Sequence, residues 1–228
     1  LIIGSGFLAQ NFKSYKDDES ILIFASGVSN SKETNFAAFE REKELLKESI
    51  ETHKNKKLIY FGTCSVSDPS EVNSLYVKHK LEMEKLISKS GCEYLAFRLP
   101  QLVGKNSNPH TLTNYIYSCI NKNICFDLWG RSERNILDID TVKCIVDYCI
   151  NKNIYKNSAI NIACPFNTRT IEIVRIFEKI LGKSANYNLI DRGDSYGIDI
   201  SNISHVMKIL NMEFHDSYLE SVLKKYYE

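Results

Sequence analysis

The chain opens LIIGSGFLA, residues 1–9, and the reading of this stretch decides the fold. Leu1, Ile2 and Ile3 form the short apolar run a buried strand uses. Gly4 breaks it, and GFLAQNFKSY, residues 6–15, suits a helix after the glycine turn. Gly4 lets the backbone turn tightly. Gly6 leaves the backbone bare enough for a pyrophosphate to approach, and the small Ala9 lets the helix lie close to the strand. Phe7, Leu8 and Ala9 carry the free N–H groups of the opening helix turn, which suit an anion. The spacing GxGxxA is a weak signal by itself. Its place between a strand and a helix, at the head of a βα series, favours dinucleotide binding over an ordinary βα turn.

Apolar runs recur at ILIF (21–24), KLIYFG (57–62), EYLAFRL (93–99), ICFDLWG (124–130), AINIA (159–163) and ANYNLI (185–190), with helical patterns between them. The first of these runs lack polar alternation, so they suit a parallel sheet covered on both faces. The segment 34–53 reads as a long amphipathic helix with Phe36, Phe39, Leu45, Leu46 and Ile50 on or near its inner face. Its charge run EREKELLKE (40–48) reads as the solvated face.

The bulk numbers exclude several classes. The chain has 228 residues, 29 basic and 28 acidic, so neither nucleic acid nor an acidic partner is indicated. No apolar stretch approaches the roughly 20 residues that span a bilayer, so no membrane association is expected. None of the seven cysteines forms a CxxC pair, which suits free, mostly buried thiols in a reducing cytoplasm and predicts no metal site.

Residues 62–80, GTCSVSDPSEVNSLYVKHK, carry the candidate chemistry. Thr63 ends a strand. Tyr76 and Lys80, four apart, share one helix face. A free phenol is a poor acid–base group near neutrality. A neighbouring ammonium would stabilise the phenolate and lower its pKa, and Thr63 would hydrogen-bond a substrate oxygen. The alternative has Tyr76 merely packed on the sheet and Lys80 solvated. With 13 tyrosines and 29 basic residues, YxxxK also arises by chance. The second instance, Tyr148/Lys152, has no hydroxyl residue placed before it and reads as that coincidence.

With these residues in view, the chain resembles the extended short-chain dehydrogenase/reductases that act on nucleotide sugars. GSGFLA, FASG, YFGTCSV and YVKHK resemble the glycine turn, the cofactor-bordering strand end and the Ser/Thr and Tyr-Lys motifs of that family. FRLPQLVG, DLWGRSERNILDIDTV and RGDSYGIDISN resemble its substrate segments. The resemblance implies a Rossmann-type α/β fold with a small C-terminal substrate-binding lobe. Residues 1–104 would form the core, with 134–164 returning to it, and 105–133 plus 165–228 would form the lobe. It implies catalysis by Thr63, Tyr76 and Lys80. NAD or NADP would be held by Gly4, Gly6, Phe7, Leu8, Ala9, Ala25, Ser26, Gly27 and Pro100. A nucleotide-diphosphate sugar would be held by Gln101, Arg131, Arg134 and Arg192, and a homodimer would form.

The chain departs from the family pattern in one large way. Only five residues, 16–20, separate the first helix from ILIF, where the family carries two more strands and the adenosine contacts. The expectation is therefore a shortened sheet lacking two strands. Cys64 and Ser65 follow Thr63 where the 4,6-dehydratases carry an Asp-Glu pair. That leaves a 4-ketosugar reductase, with a nucleotide-sugar epimerase as the alternative and a non-catalytic nucleotide-binding protein as the reading from another class. Cys64 and His110 could serve a reductase that also epimerises, but they read better as a buried thiol and a loop histidine.

Overall fold

The computed structural model describes residues 1–228. The first half runs β1 (Ile2–Ile3), α1 (Phe7–Asn11), β2 (Ile21–Phe24), α2 (Phe36–Thr52), β3 (Lys57–Thr63), α3 (Leu75–Ser88), β4 (Tyr94–Leu99) and β5 (Gln101–Val103). Next come α4 (Leu112–Asn121), β6 (Phe126–Trp129), β7 (Glu133–Arg134), β8 (Ile136–Asp138), α5 (Ile139–Asn151) and β9 (Ser158–Asn161). The chain continues with β10 (Thr168–Arg169), α6 (Thr170–Leu181), β11 (Tyr187–Ile190), α7 (Ser201–Ile209) and α8 (Tyr218–Tyr227).

Strand side chains alternate between two covered faces, which is why the apolar runs are unbroken. Leu22, Phe24, Leu58, Tyr60 and Ala96 face α2 and α3, where Leu46, Ile50, Met83 and Ile87 meet them. Ile21, Ile23, Ile59, Phe61, Leu95 and Phe97 face the other way, toward Phe12 and the Val142, Ile145, Val146 and Cys149 stripe of α5. The result is three layers. The second apolar cluster continues without a break into α6, α7 and α8 through Val174, Phe177, Val206 and Leu223.

The main sheet has five parallel strands in the order β1-β2-β3-β4-β9. In a complete dinucleotide fold the first strand is internal, and the next two in sequence lie on its far side. Here β1 is the edge, and β2 lies between it and β3. The strand ILIF therefore occupies the fourth place of the complete fold, and the second and third strands are missing, as expected. Three two-stranded sheets, β5–β8, β6–β11 and β7–β10, stand apart from the main one.

Two expectations need correction. The first helix ends at Asn11 and gives way to a 3-10 turn at Lys13–Tyr15. Asn11 Nδ2 donates to the Phe7 carbonyl at 2.8 Å, a local bond that competes with helix continuation. Phe12 then turns inward onto Phe61, with ring centroids 5.2 Å apart. In α2 the inner stripe is Phe39, Glu42, Leu46, Ser49 and Ile50, while Phe36 is 68% exposed. The stripe follows the 3–4 residue period strictly, so it takes in a glutamate from the middle of the charge run.

Gly4 has φ of +124°, and a Cβ there would lie 2.5 Å from the Ala25 carbonyl oxygen. The turn thus needs glycine for both conformation and space. Gly4→Ala is expected to destabilise the fold by about 1–3 kcal/mol. Urea unfolding checks this, and an unchanged midpoint would show that the β1–β2 contact relaxes freely.

Candidate active site

Sequence-local devices place the three residues of the proposed dyad and its hydroxyl partner. Thr63 closes β3, and its Oγ1 accepts the Ser65 N–H at 3.1 Å, which folds the chain into a turn beyond the strand. Ser74 caps α3, so Tyr76 falls in the first helical turn and Lys80 one turn later. The Thr63 side chain lies close enough to the Tyr76 phenol to act on its pKa. Lys80 Nζ lies 5.9 Å from the Tyr76 ring centroid. The structure therefore brings Thr63, Tyr76 and Lys80 together. Tyr148 lies on α5, on the other side of the sheet.

The surroundings of Lys80 differ from the expectation of a solvated or phenol-directed ammonium. Its Nζ is buried and donates to Glu42 Oε1 at 2.9 Å and to the Tyr60 hydroxyl at 3.3 Å. Glu42 is fully buried. It also accepts the Tyr60 hydroxyl at 2.9 Å and the Val28 N–H at 2.6 Å. His79 Nε2 lies 3.0 Å from Glu42 Oε2, without the alignment of a good hydrogen bond. Gly27 roofs the pair, since a Cβ there would come 2.6 Å from Lys80 Nζ. One carboxylate thus ties the loop after β2, the strand β3 and the helix α3 to α2.

The charges respond accordingly. Burial opposes ionisation of Glu42, but His79, the Lys80 ammonium and the Val28 N–H outweigh it and hold the carboxyl at about 2. Burial pushes Lys80 down, and Glu42 recovers only part of the loss. Burial pushes the Tyr76 phenol up to about 12; the Thr63 bond opposes this, while Glu42 and Cys64 add to it. The expectation placed the Lys80 ammonium at the Tyr76 phenol; its hydrogen bonds here run to Glu42 and Tyr60. The ammonium is engaged by Glu42, and the carboxylate repels a phenolate.

At the glycine turn, an added Cβ on Gly6 would meet nothing within 4 Å, and Ala9 is buried. Phe7 and Leu8 are half-buried against the core, Phe7 with its ring over Gly104. Ala25, Ser26 and Gly27 follow β2 beside Gly4. The Arg41 guanidinium donates to Ser26 Oγ at 3.2 Å and to the Ser26 carbonyl at 3.0 Å, and it has no carboxylate partner. Pro100 joins β4 to β5, and Gln101 is exposed, with its N–H donated to the Asn135 carbonyl at 3.1 Å. Neither Glu42 nor Arg41 was legible as a site residue; the signal for Glu42 was its place in the Phe39–Leu46 stripe.

The three arginines are dispersed. Arg134 donates to the Glu133 carbonyl, and its charge acts on Tyr196, which lies near Ser65, two residues beyond Thr63. Arg131 pairs with Asp191 at 3.0 Å on the protein surface. Arg192 stacks on Trp129, 5.0 Å from the ring centroid. The Cys64 thiol is buried, donates to the Arg98 carbonyl at 3.2 Å, and is pushed up to about 12 by burial. His110 is exposed on a loop. All seven cysteines are free, though Cys125 and Cys144 are exposed rather than buried. No helix is long and apolar enough to cross a membrane.

Removing one partner of a buried ion pair is costly, while neutralising both is often nearly free. Lys80→Met alone is therefore expected to lose about 3–5 kcal/mol, and Lys80→Met/Glu42→Gln to recover most of it. Chemical denaturation of the four species forms the check. Glu42 has its folded pKa depressed, so its stabilisation is complete above its ordinary value of 4.5 and lost as pH falls toward 2. The double variant should lack that acid-side loss, and additive losses would mean the two charges are independent.

No family model matches the chain, and no curated protein matches it. Solved structures do resemble it. The UDP-glucose 4-epimerase of Thermus thermophilus, complexed with NAD, superposes with a TM-score of 0.72 over 96% of this chain and 81% of its own, at 11% identity. The UDP-N-acetylglucosamine 4-epimerase of Bacillus cereus gives 0.72 over 98% and 93%, at 15% identity. The dTDP-glucose 4,6-dehydratase of Bacillus anthracis, in complex with NAD, gives 0.72 over 96% and 76%, at 14% identity. The chain therefore has, in shortened form, the fold of these nucleotide-sugar epimerases and dehydratases.

Proposed function

We propose that the protein is an NAD(P)-dependent oxidoreductase that reduces the 4-keto group of a nucleotide-linked sugar. The observation that carries the reading is the grouping of Thr63 at the end of β3 with Tyr76 and Lys80 on one face of α3, Lys80 Nζ lying 5.9 Å from the Tyr76 ring centroid. Burial keeps the phenol in the protonated form that a reduction consumes. The glycine turn fits a dinucleotide: Gly4 makes the tight turn, Gly6 presents an open face, and Arg41 keeps donors free beside Ser26. Bound there, a nicotinamide would supply the hydride. Thr63 would hydrogen-bond the sugar carbonyl oxygen, and Tyr76 would give that oxygen its proton and be reprotonated from solvent.

Arg134, whose charge acts on Tyr196, is the first candidate for the substrate diphosphate, which suits a planar, permanently charged guanidinium. Arg131 and Arg192 would join it from the lobe. Their present partners, an exposed carboxylate and an exposed ring, hold them only weakly. The second reading is a 4-epimerase, favoured by the names of several similar structures. It asks Tyr76 to accept a proton as readily as it gives one, and a phenol at about 12 suits that less well.

The test is turnover of a panel of nucleotide-linked 4-ketosugars with NADH or NADPH, read as loss of nicotinamide absorbance. Tyr76→Phe is expected to abolish turnover with an unchanged circular dichroism spectrum, and Tyr148→Phe to leave it intact. Cofactor binding with no turnover on any sugar would favour a non-catalytic protein. Equal loss in both tyrosine variants would mean that the chemistry is placed wrongly.

Arg134→Ala is expected to raise KM by about ten- to hundred-fold, the value of one charge-assisted contact, with a smaller change in kcat. An unchanged KM in steady-state kinetics would remove Arg134 from the diphosphate site.

A further inference from the structure

The carboxylates that flank Arg41 on α2 are engaged elsewhere. Lys43 lies 3.8 Å from Glu40, Lys47 lies 2.8 Å from Glu44, and Glu42 is turned inward onto Lys80. The exposed Arg41 guanidinium instead donates through both terminal nitrogens to Ser26, at 3.2 Å to its Oγ and at 3.0 Å to its carbonyl. Two of its N–H donors are used in this way, and three stay free. The two bonds also fix a long side chain in one place. That place adjoins the glycine turn, because a Cβ on Gly4 would lie 2.5 Å from the Ala25 carbonyl oxygen and 3.0 Å from the Ser26 nitrogen. On the open side of the turn Gly4, Ser5 and Gly6 are all exposed.

A dinucleotide carries a negative charge on each phosphate of its pyrophosphate. In the complete fold the helix after the glycine turn meets that charge with its dipole. Here the helix is α1, five residues long and little more than one turn, so its dipole is small. Residues 1–12 contain no lysine or arginine, and the strands that would add adenosine contacts are missing. A cation for this place has to come from another element. We propose that Arg41 is the cation for the cofactor's pyrophosphate: held by Ser26 beside the glycine turn, it meets the charge that the short helix and the missing strands leave unmet. The inference rests on the reading of the glycine turn as a dinucleotide site, and it names the side chain that supplies that site's charge. The free donors of a planar guanidinium can reach oxygens on both phosphates at once. The pyrophosphate is common to NAD and NADP, so Arg41 contributes equally to the binding of either.

The test is a fluorescence titration of the full chain with NADH and with NADPH, at low and at high salt, with no sugar present. Arg41→Met keeps the aliphatic stem and removes the charge. It is expected to weaken both dinucleotides alike at low salt, by about ten- to hundred-fold, the value of one charge-assisted contact. The affinity of the unaltered protein is expected to fall as salt rises, and that of Arg41→Met to respond much less. Arg41→Lys, which keeps the charge without the planar fork, is expected to retain the salt response at an intermediate affinity. If Arg41 only held the loop at Ser26, Arg41→Met would lose affinity equally at every salt concentration and keep the original salt response. That result would overturn the proposal. An unchanged affinity would overturn it too, as would the failure of the unaltered protein to bind either dinucleotide. A loss confined to NADPH would move the guanidinium to the 2′-phosphate and overturn the assignment to the pyrophosphate. Arg41-dependent binding with no turnover of any sugar would sustain the role of Arg41 and sink the proposed reaction. Tyr76-dependent turnover, with cofactor affinity unchanged in Arg41→Met, would do the reverse.

Discussion

The contact set of a single buried carboxylate organises this end of the molecule. Glu42 accepts from the loop after β2, from Tyr60 of β3 and from Lys80 of α3, with His79 beside it. A lone carboxylate in that environment would be expelled or neutralised; four neighbours let it stay ionised. The relation is mutual. Lys80 could not remain charged at full burial without Glu42, and the loop 25–28 would lose the bond that draws it onto the sheet. Loop position, helix docking and the electrostatics of the phenol are thus coupled through one side chain.

The shortened sheet has its own logic. A complete dinucleotide fold reverses its strand order beside the first strand, and the ligand crosses the crevice that the reversal opens. Here the order runs from β1 to β9 without reversal, so no such crevice lies in the sheet. Any dinucleotide must lie over the carboxyl ends of consecutive strands, from Gly4 past Ser26 toward Thr63. Along that line the exposed cation is Arg41, contributed by a helix rather than by a strand end.

Much of this was legible from the residues. Unbroken apolar runs gave a doubly covered parallel sheet because both faces of β2, β3 and β4 are buried. The glycine spacing gave the turn because Gly4 has a conformation and a neighbour that exclude a side chain. The spacing from Thr63 to Tyr76 and Lys80 brought three residues into proximity because strand end, cap and helix pitch are local matters. What was not legible is tertiary. A charge run reads as solvated unless its phase against the apolar stripe is checked, and Glu42 sits in phase while Glu40 and Glu44 do not. The state of Lys80 followed from that: its ammonium pairs with Glu42 instead of turning to the Tyr76 hydroxyl. The first helix stopped early through a side-chain bond from Asn11, and Phe36 pointed outward because the stripe begins one turn later.

Gly27 carries a consequence for how this sequence can drift. Its missing side chain is the space into which the Lys80 headgroup and the Glu42 carboxylate close. Any larger residue there would have to push the ammonium aside, which costs little only once the carboxylate is already gone. Positions 27, 42 and 80 are therefore bound in a fixed order of replacement. The acid must be lost before the glycine can be, and that same loss frees the lysine to serve another partner.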